Sequence, residues 1–353
     1  MKTKLVYVLT CAPEATYIEQ ALISIWSARY HNPDAHIVLL VDDLTNQLLI
    51  DKRAEVLEYI TEKVVVELPA EMNVVNRSRW IKTSVRMLVE GDYLFIDTDT
   101  IIARSLADIE QCPHTAAAVL DSHMTVEEYP EALKSWLKTR FAKVDIDLKN
   151  VKHYVNSGVI LVKTNDLAIG LYARWHQGWR DGLSNGFIGD QPYLLKSDME
   201  LGGVIGLLDG RWNCVMYTYP EFDVEAYVLH FSAHENMCFL FDEKCLQVIR
   251  EQGLEAFKPM ILAPQKTYIA HIPSRLCSSY RNIQEALRFI HTYCLDSLPT
   301  YLIKFAEKDK VQRMMNGGRY RMAAGYVCGK VLWRYWDKKL RTFVKRLIGY
   351  KKK

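Results

Sequence analysis

No stretch of this 353-residue chain approaches the roughly 18 consecutive apolar residues that a membrane span needs. The apolar part of its first ten residues is too short for a secretory signal and reads as a first strand. Cysteines stand at 11, 112, 214, 238, 245, 277, 294 and 328, but no two form a CxxC pair or a zinc-like spacing. That gives no sign of a structural zinc site, and the cysteines read as reduced, mostly buried thiols of a cytosolic protein. Internal repeats and low-complexity tracts are missing as well, so the chain is neither a repeat array nor a disordered one. What is present is core-forming material. With 49% hydrophobic residues the chain can bury one large α/β domain and carry an appendage.

The net charge of +3 conceals an asymmetry: residues 300–353 hold 16 Lys+Arg against 3 Asp+Glu, a net of +13, which leaves −10 for residues 1–299. Body and tail therefore face different partners. From Arg319 onward the tail mixes aromatic residues with cations, and on a helix Val331, Leu332, Tyr335, Trp336, Leu340, Phe343 and Leu347 share one apolar stripe. Such a pattern suits an interfacial helix on anionic lipid, so residues 319–353 are expected to attach peripherally to the cytoplasmic face of a membrane, the alternative being a terminal helix docked on the body with a solvated basic face. No nucleic-acid recognition motif accompanies the charge, and nucleic acid is not an expected partner.

Along the body, strand and helix patterns alternate. Leu5–Thr10 reads as a strand, Cys11–Tyr17 as a loop, Ile18–Tyr30 as a helix, and His36–Val41 as a buried strand closed by Asp42 and Asp43. A charged amphipathic segment at about 46–61 precedes a strand at Val64–Leu68. Strands spaced this way imply βαβ units and a mostly parallel sheet, in which ligands gather at the carboxyl ends of strands. Thr10, Asp42 and the pair Asp97 and Asp99 fall at such ends.

That pair closes the run Tyr93-Leu94-Phe95-Ile96-Asp97-Thr98-Asp99-Thr100. At spacing i, i+2 on an extended chain both carboxylates emerge on one side, a suitable grip for a hard cation such as Mg²⁺ or Mn²⁺. Two charges in so apolar a run are costly unless something binds them. Just before it, Asn76 or Ser78 is expected to cap a helix reaching about Glu90, with Arg77, Arg79 and Lys82 in its opening turns. Cations at a helix start oppose the dipole, which reads either as a solvated basic face or as a phosphate site. Later, Ala116–Leu120 reads as a strand ending at Asp121, and 126–142 as a helix. Tyr154–Val162 is a strand interrupted by Asn156-Ser157-Gly158, where glycine points to a bulge or a close approach by a ligand. Asp190 reads as the cap of a helix with Pro192 in its first turn, a role that leaves Gln191 unexplained. Leu208–Asn213 reads as a turn, Ala226–Ser232 as a strand carrying His230, and 242–257 and 282–297 as helices.

Taken in order, FIDTDT, YVNSGVILVKTN, GDQPYL, LDGRWN and YVLHFS resemble glycosyltransferase family 8, retaining GT-A enzymes that use nucleotide sugars, over roughly residues 4–235. The resemblance implies a GT-A, Rossmann-like, mostly parallel sheet with flanking helices in residues 1–236; beyond it, the helical patterns and the charge point to a helical appendage in 237–299 and the basic tail in 300–353. It implies that Asp97, Asp99 and His230 hold Mn²⁺ or Mg²⁺ against a UDP diphosphate. Lys82, Arg79 and Thr98 would contact the donor, Thr10 and Tyr17 the uridine, and Asn156, Ser157, Asp190 and Gln191 the sugar, the last two standing closest to the chemistry. The expected activity is transfer of a hexose, glucose or galactose, from a UDP-sugar to a saccharide or lipid-linked acceptor of surface polysaccharide or lipopolysaccharide. The chain departs from the family after the histidine, where it reads HFSAHENM without the usual Lys-Pro-Trp-like segment. Other classes fit less well. A sugar-nucleotide pyrophosphorylase is expected to carry a Gly-rich basic loop after the first strand, and residues 11–17 contain neither glycine nor a cation. A non-catalytic sugar-binding module attached to a membrane needs only the pocket and the tail.

Overall fold

The computed structural model describes residues 1–216 apart from 70 and 130, residues 222, 225–231 and 238–264, and positions 326 and 329. The sheet lies in a compact unit of residues 1–220 and 225–267; a second unit, 221–224 and 268–353, falls almost wholly outside the described residues. So do the helix expected at 282–297 and nearly all of the basic tail.

In chain order the elements are β1 (Lys4–Leu9), α1 (Tyr17–His31), β2 (Ile37–Asp42), α2 (Asp43–Gln47), β3 (Glu62–Val66), α3 (Val74–Leu88), β4 (Tyr93–Ile96), β5 (Thr100–Ile102) and β6 (Ala116–Leu120). Then come α4 (Glu131–Ala142), β7 (Val155–Val162), α5 (Asp166–Ser184), α6 (Gln191–Glu200), β8 (Ile205–Leu208), β9 (Cys214–Val215), β10 (Val228–His230), α7 (Glu243–Gln252) and α8 (Lys258–Ile261). A seven-stranded sheet has the order β3-β2-β1-β4-β7-β6-β8, parallel throughout except for β7, which runs against both of its neighbours. The mostly parallel α/β sheet expected from the alternation of strands and helices is the one that forms. Its middle strands are largely apolar because helices cover both faces: every residue of β2 and β4 is buried, β2 being apolar up to its terminal Asp42. At the edge, β3 alternates and leaves Glu62, Lys63 and Val65 exposed.

A three-stranded sheet, β5-β10-β9, lies beyond the end of β4. Helix α1 is pinned to it by small hydroxyls. Ser24 Oγ and Thr100 Oγ1 are 2.6 Å apart, and Ile102 N donates to Ser27 Oγ at 2.9 Å.

Several boundaries differ from expectation. The 46–61 segment is no long helix: α2 is capped by Asp42, and a 3₁₀ run at Asp51–Glu58 follows after Asp51 takes a left-handed φ of 49°. Helix α3 starts a turn early because Asn73, not Asn76 or Ser78, is the cap, its side chain accepting from Asn76 N at 2.9 Å. The 126–142 helix is divided, since Tyr129 precedes a proline and takes the extended backbone that proline imposes. Helix α7 stops at Gly253, whose φ of +84° only glycine adopts without strain. Residues 243–261 lie in the same compact unit as the sheet, and Arg250 of α7 pairs with the buried Glu19 of α1 at 3.0 Å.

Candidate metal and nucleotide-sugar site

Two backbone ladders bring the site together. At the end of β4 the Asp97 N–H donates to Gly158 O at 2.8 Å, carrying the pairing with β7 one residue past the strand. The chain then turns through Thr98 and Asp99 into β5, where Thr100 pairs with His230 of β10 and Phe231 N donates to Asp99 O at 2.9 Å. A histidine 131 positions downstream of Asp99 is thereby fixed beside it, with Nε2 3.2 Å from Asp99 Oδ1.

One ligand atom from each of Asp97, Asp99 and His230 falls within 4.8 Å of the others, the one such group of three among the described residues. Donors at about 2.1 to 2.4 Å from a shared cation stand at most about 4.2 to 4.8 Å apart, so the spacing fits a divalent ion. Two carboxylates and an imidazole suit Mn²⁺ or Mg²⁺ better than a thiophilic metal. The carboxylates are partly open, with side-chain exposures of 29% and 24%, whereas His230 at 4% is closed in from behind. Such a site admits further ligands from the carboxylate side only. Removal from bulk water raises the Asp97 carboxyl above its ordinary range, with Lys82 opposing and Asp99 reinforcing the shift. Burial pulls the His230 imidazole down, but Asp99 and Asp97 outweigh it and leave it raised.

Behind the imidazole lies a polar relay. His230 Nδ1 meets Asn213 Oδ1 at 2.8 Å, while Asn213 Nδ2 donates to Asn156 Oδ1 at 2.9 Å. Asn156 Oδ1 also accepts from Gly158 N at 2.8 Å, and Asn156 Nδ2 donates to Asp121 Oδ1 at 3.0 Å. The relay fixes the ring's orientation: Nδ1 donates to Asn213, so Nε2 is the nitrogen that faces the carboxylates, and an ion would take the place of the proton it shares with Asp99. Asn156 thus braces the site from behind instead of reaching into the cleft. Gly158 is needed for packing, since a Cβ there would stand 2.4 Å from His230 Cε1 and 2.9 Å from Asp97 Oδ2. The close approach anticipated at this glycine is made by the site's own side chains.

The three cations of α3 divide into two kinds. Arg77 is fully buried and pairs with Asp42 and Asp43, locking the helix start to the end of β2; Asp42 is a structural partner and cap, not a ligand group. Lys82 Nζ instead lies 3.0 and 3.1 Å from the Asp97 oxygens and 4.0 Å from Asp190 Oδ2, and Arg79 Nε is 3.5 Å from Asp190 Oδ1. Asp190 occupies the cap position of α6, but its backbone is helical and its side chain caps nothing. It turns to the two cations and accepts from Ser157 Oγ at 3.4 Å, while Gln191 Oε1 accepts from Ser157 N at 3.4 Å.

A cleft of about 240 Å³ gathers Thr10, Tyr17, Arg79, Lys82, Asp97, Thr98, Asp99 and Asp190, together with Gln20, Val74, Val75 and Ser78. Thr10 Oγ1 donates to Val74 O at 3.1 Å, and Tyr17 stands 47% exposed at the mouth. Ser157 and Gln191 adjoin it through Asp190, and His230 through Asp99. Asn213 and Asp121 are the functional positions that sequence patterns do not single out: each is read there only as part of a turn or a strand end. A larger groove of about 1050 Å³ between α4 and residues 145–152 is lined by mixed Lys, Glu and Asp side chains and includes none of the three metal-ligating residues. No helix of the described residues is long and apolar enough to cross a membrane.

No protein-family model matches the sequence, and no curated protein does. Among solved structures the chain is similar to the galactosyltransferase LgtC in complex with donor and acceptor sugar analogues, at 14% identity over 74% of this chain and 96% of that one, with a TM-score of 0.47. It is also similar to mouse xyloside xylosyltransferase 1 (13% identity, 66% and 98% covered, TM-score 0.44) and to the glycosyltransferase GlyE of Streptococcus pneumoniae (16%, 75% and 64%, 0.43). All three scores lie below 0.5, so the site's own geometry carries the functional reading.

Proposed function

We propose that the cleft binds a UDP-hexose through a divalent ion and transfers the hexose, glucose or galactose, with retention of configuration to a saccharide or lipid-linked acceptor. The observation that carries this is the meeting of Asp97, Asp99 and His230 within 4.8 Å at a cleft that both carboxylates line together with Lys82 and Arg79. When bound, Mn²⁺ or Mg²⁺ supplies Lewis-acid neutralisation of the diphosphate that leaves the sugar. Lys82 and Arg79 would add positive charge beside the phosphate oxygens, and Thr10 and Tyr17, which line the same cleft, would take the base. Asp190, Ser157 and Gln191 then surround the sugar.

Asp190 is poorly suited to act as a nucleophile, because its charge is shared with two cations and a hydroxyl. A front-face transfer, in which the acceptor attacks on the side the diphosphate leaves, asks only that these groups hold and orient the sugar. Attachment through residues 319–353 to an anionic membrane, and a lipid-linked acceptor of surface-polysaccharide assembly, belong to the same proposal.

The test is release of UDP from UDP-glucose and UDP-galactose by the full chain, with Mn²⁺, after chelation, and after Mn²⁺ is restored. We expect release that chelation stops and metal returns. A protein that binds Mn²⁺ yet releases UDP from neither donor sinks the reading. Co-sedimentation with anionic and neutral vesicles addresses the tail separately.

A further inference from the structure

Arg140, on the last turn of α4, is a guanidinium in a prepared setting that has no ion-pair or hydrogen-bond partner among the described residues. Its carbon lies 4.8 Å from the Trp136 ring centre and 5.5 Å from that of Phe187. Its Nε is buried and has no hydrogen-bond partner among the described residues. Two aromatic rings beside the charge favour the cation and restrict its motion, but they supply no acceptor for its N–H groups. A buried donor without a partner is disfavoured unless a ligand completes it.

The position of this guanidinium ties it to the cleft. A Cβ on Gly189 would stand 2.6 Å from Arg140 Nη2 and 3.0 Å from Phe187 Cζ, so the arginine rests against the backbone immediately before Asp190 and Gln191. The buried Tyr154 phenol lies within electrostatic reach of Arg140, Asp121 and Asp190. Arg79 and Lys82 are already paired with carboxylates in the cleft, whereas Arg140 is not.

We infer that Arg140 is the anion-binding residue of an acceptor subsite, one that takes a sugar bearing a carboxylate or a phosphate. A planar guanidinium presents a fork of N–H donors that matches either oxyanion, and flanking rings leave that fork ordered before the ligand arrives. The inference rests on the proposed transferase reading only in naming the sugar an acceptor; the binding of an anionic sugar here stands independently of turnover.

The experiment is calorimetric titration of the full chain with glucuronate, glucose 6-phosphate and uncharged methyl glucoside, repeated for R140Q, R140K and K143A. We expect at least one anionic sugar to bind about tenfold tighter than methyl glucoside, and the two anions to show which oxyanion is preferred. R140Q should remove the advantage, R140K should keep part of it, and K143A, which changes a cation 6.0 Å from the same Phe187 ring, should retain it. Equal affinity for charged and uncharged sugars, no saturable binding of either anion at millimolar concentration, or an advantage that survives R140Q overturns the inference. Thermal unfolding of each variant identifies loss of fold. If anion binding is kept while no UDP-hexose is turned over, the transferase reading fails and the subsite does not.

Discussion

Asn213 Oδ1 stands 2.8 Å from His230 Nδ1 and, because the Asn213 amide nitrogen is given to Asn156, it must be the acceptor of that pair. The imidazole is therefore held with Nε2 toward the carboxylates before any ion arrives. Removing such a partner typically costs 10- to 100-fold in metal affinity. Asn213→Ala should weaken Mn²⁺ binding by about that factor while leaving Asp97 and Asp99 in place, as calorimetric titration of the variant and wild type will read. An unchanged affinity means that packing alone orients His230.

Gly158→Ala tests the same wall from the other side. The added methyl would meet His230 Cε1 at 2.4 Å and Asp97 Oδ2 at 2.9 Å, and strand backbone on either side gives it little room to retreat. Overpacking of this kind costs about 1–3 kcal/mol, and here part of the relief must come from moving two metal-ligating groups. Urea denaturation should show the loss of stability and Mn²⁺ titration a loss of affinity. A variant that is destabilised but binds the ion normally would show that the backbone, not the site, gives way.

Three cations from one helix should behave differently. Arg77→Ala strands the carboxylates of Asp42 and Asp43 at a buried junction, and breaking such a pair costs about 3–5 kcal/mol, enough to unfold a marginal domain. Arg79→Ala and Lys82→Ala act on partly open groups at the cleft wall, and are expected to cost under about 1 kcal/mol each in stability. Their effect should fall on the donor, with KM for the UDP-hexose rising about tenfold or more, the equivalent of one charge-assisted hydrogen bond. Thermal melts beside donor kinetics separate the two classes.

That contrast shows what a sequence discloses and where it stops. Buried strands β1, β2 and β4 are legible because unbroken apolar runs between helical patterns have few other uses, and Asp97 with Asp99 is legible because two charges at the end of such a run demand a reason. The pairing of His230 with Asp99 needs β5 and β10 to be adjacent, a long-range register that no local pattern encodes. Arg77 and Lys82 look alike in the string; only the approach of β2 makes one structural and leaves the other facing the cleft. Asn213 and Asp121 act through side chains whose partners lie 17 and 35 positions away, and neither residue type nor spacing marks them. Asn73 is legible in principle, since an asparagine at a helix start is an ordinary cap, but Asn76 and Ser78 offer the same chemistry within a few residues.

The contact between α3 and α5 carries a titratable group whose sign can be worked out. His176 on α5 packs edge-on against Trp80 at 4.9 Å, and its Nδ1 lies 2.8 Å from Thr83 Oγ1, a hydroxyl that itself donates to Arg79 O. The ring nitrogen is thus a donor in a neutral imidazole. Burial, reinforced by the Arg180 charge, lowers its pKa from 6.5 to about 4. A base whose folded pKa is depressed contributes nothing unfavourable above its unfolded value, where both states are neutral. As pH falls from about 6.5 toward 4 the unfolded chain takes up a proton that the native protein refuses, and stability declines; below about 4 this contribution levels off. Partial exposure of the ring screens the effect, to roughly 1–2 kcal/mol in all. His176→Gln keeps a donor for Thr83 and loses the titration, so the difference in stability between pH 7 and pH 4.5, measured by urea unfolding, should be smaller in the variant by about that amount. Carboxylates titrate in the same range in both proteins and cancel in the comparison. Equal pH dependence in the two would mean that the ring is solvated enough in the native protein to be protonated in place.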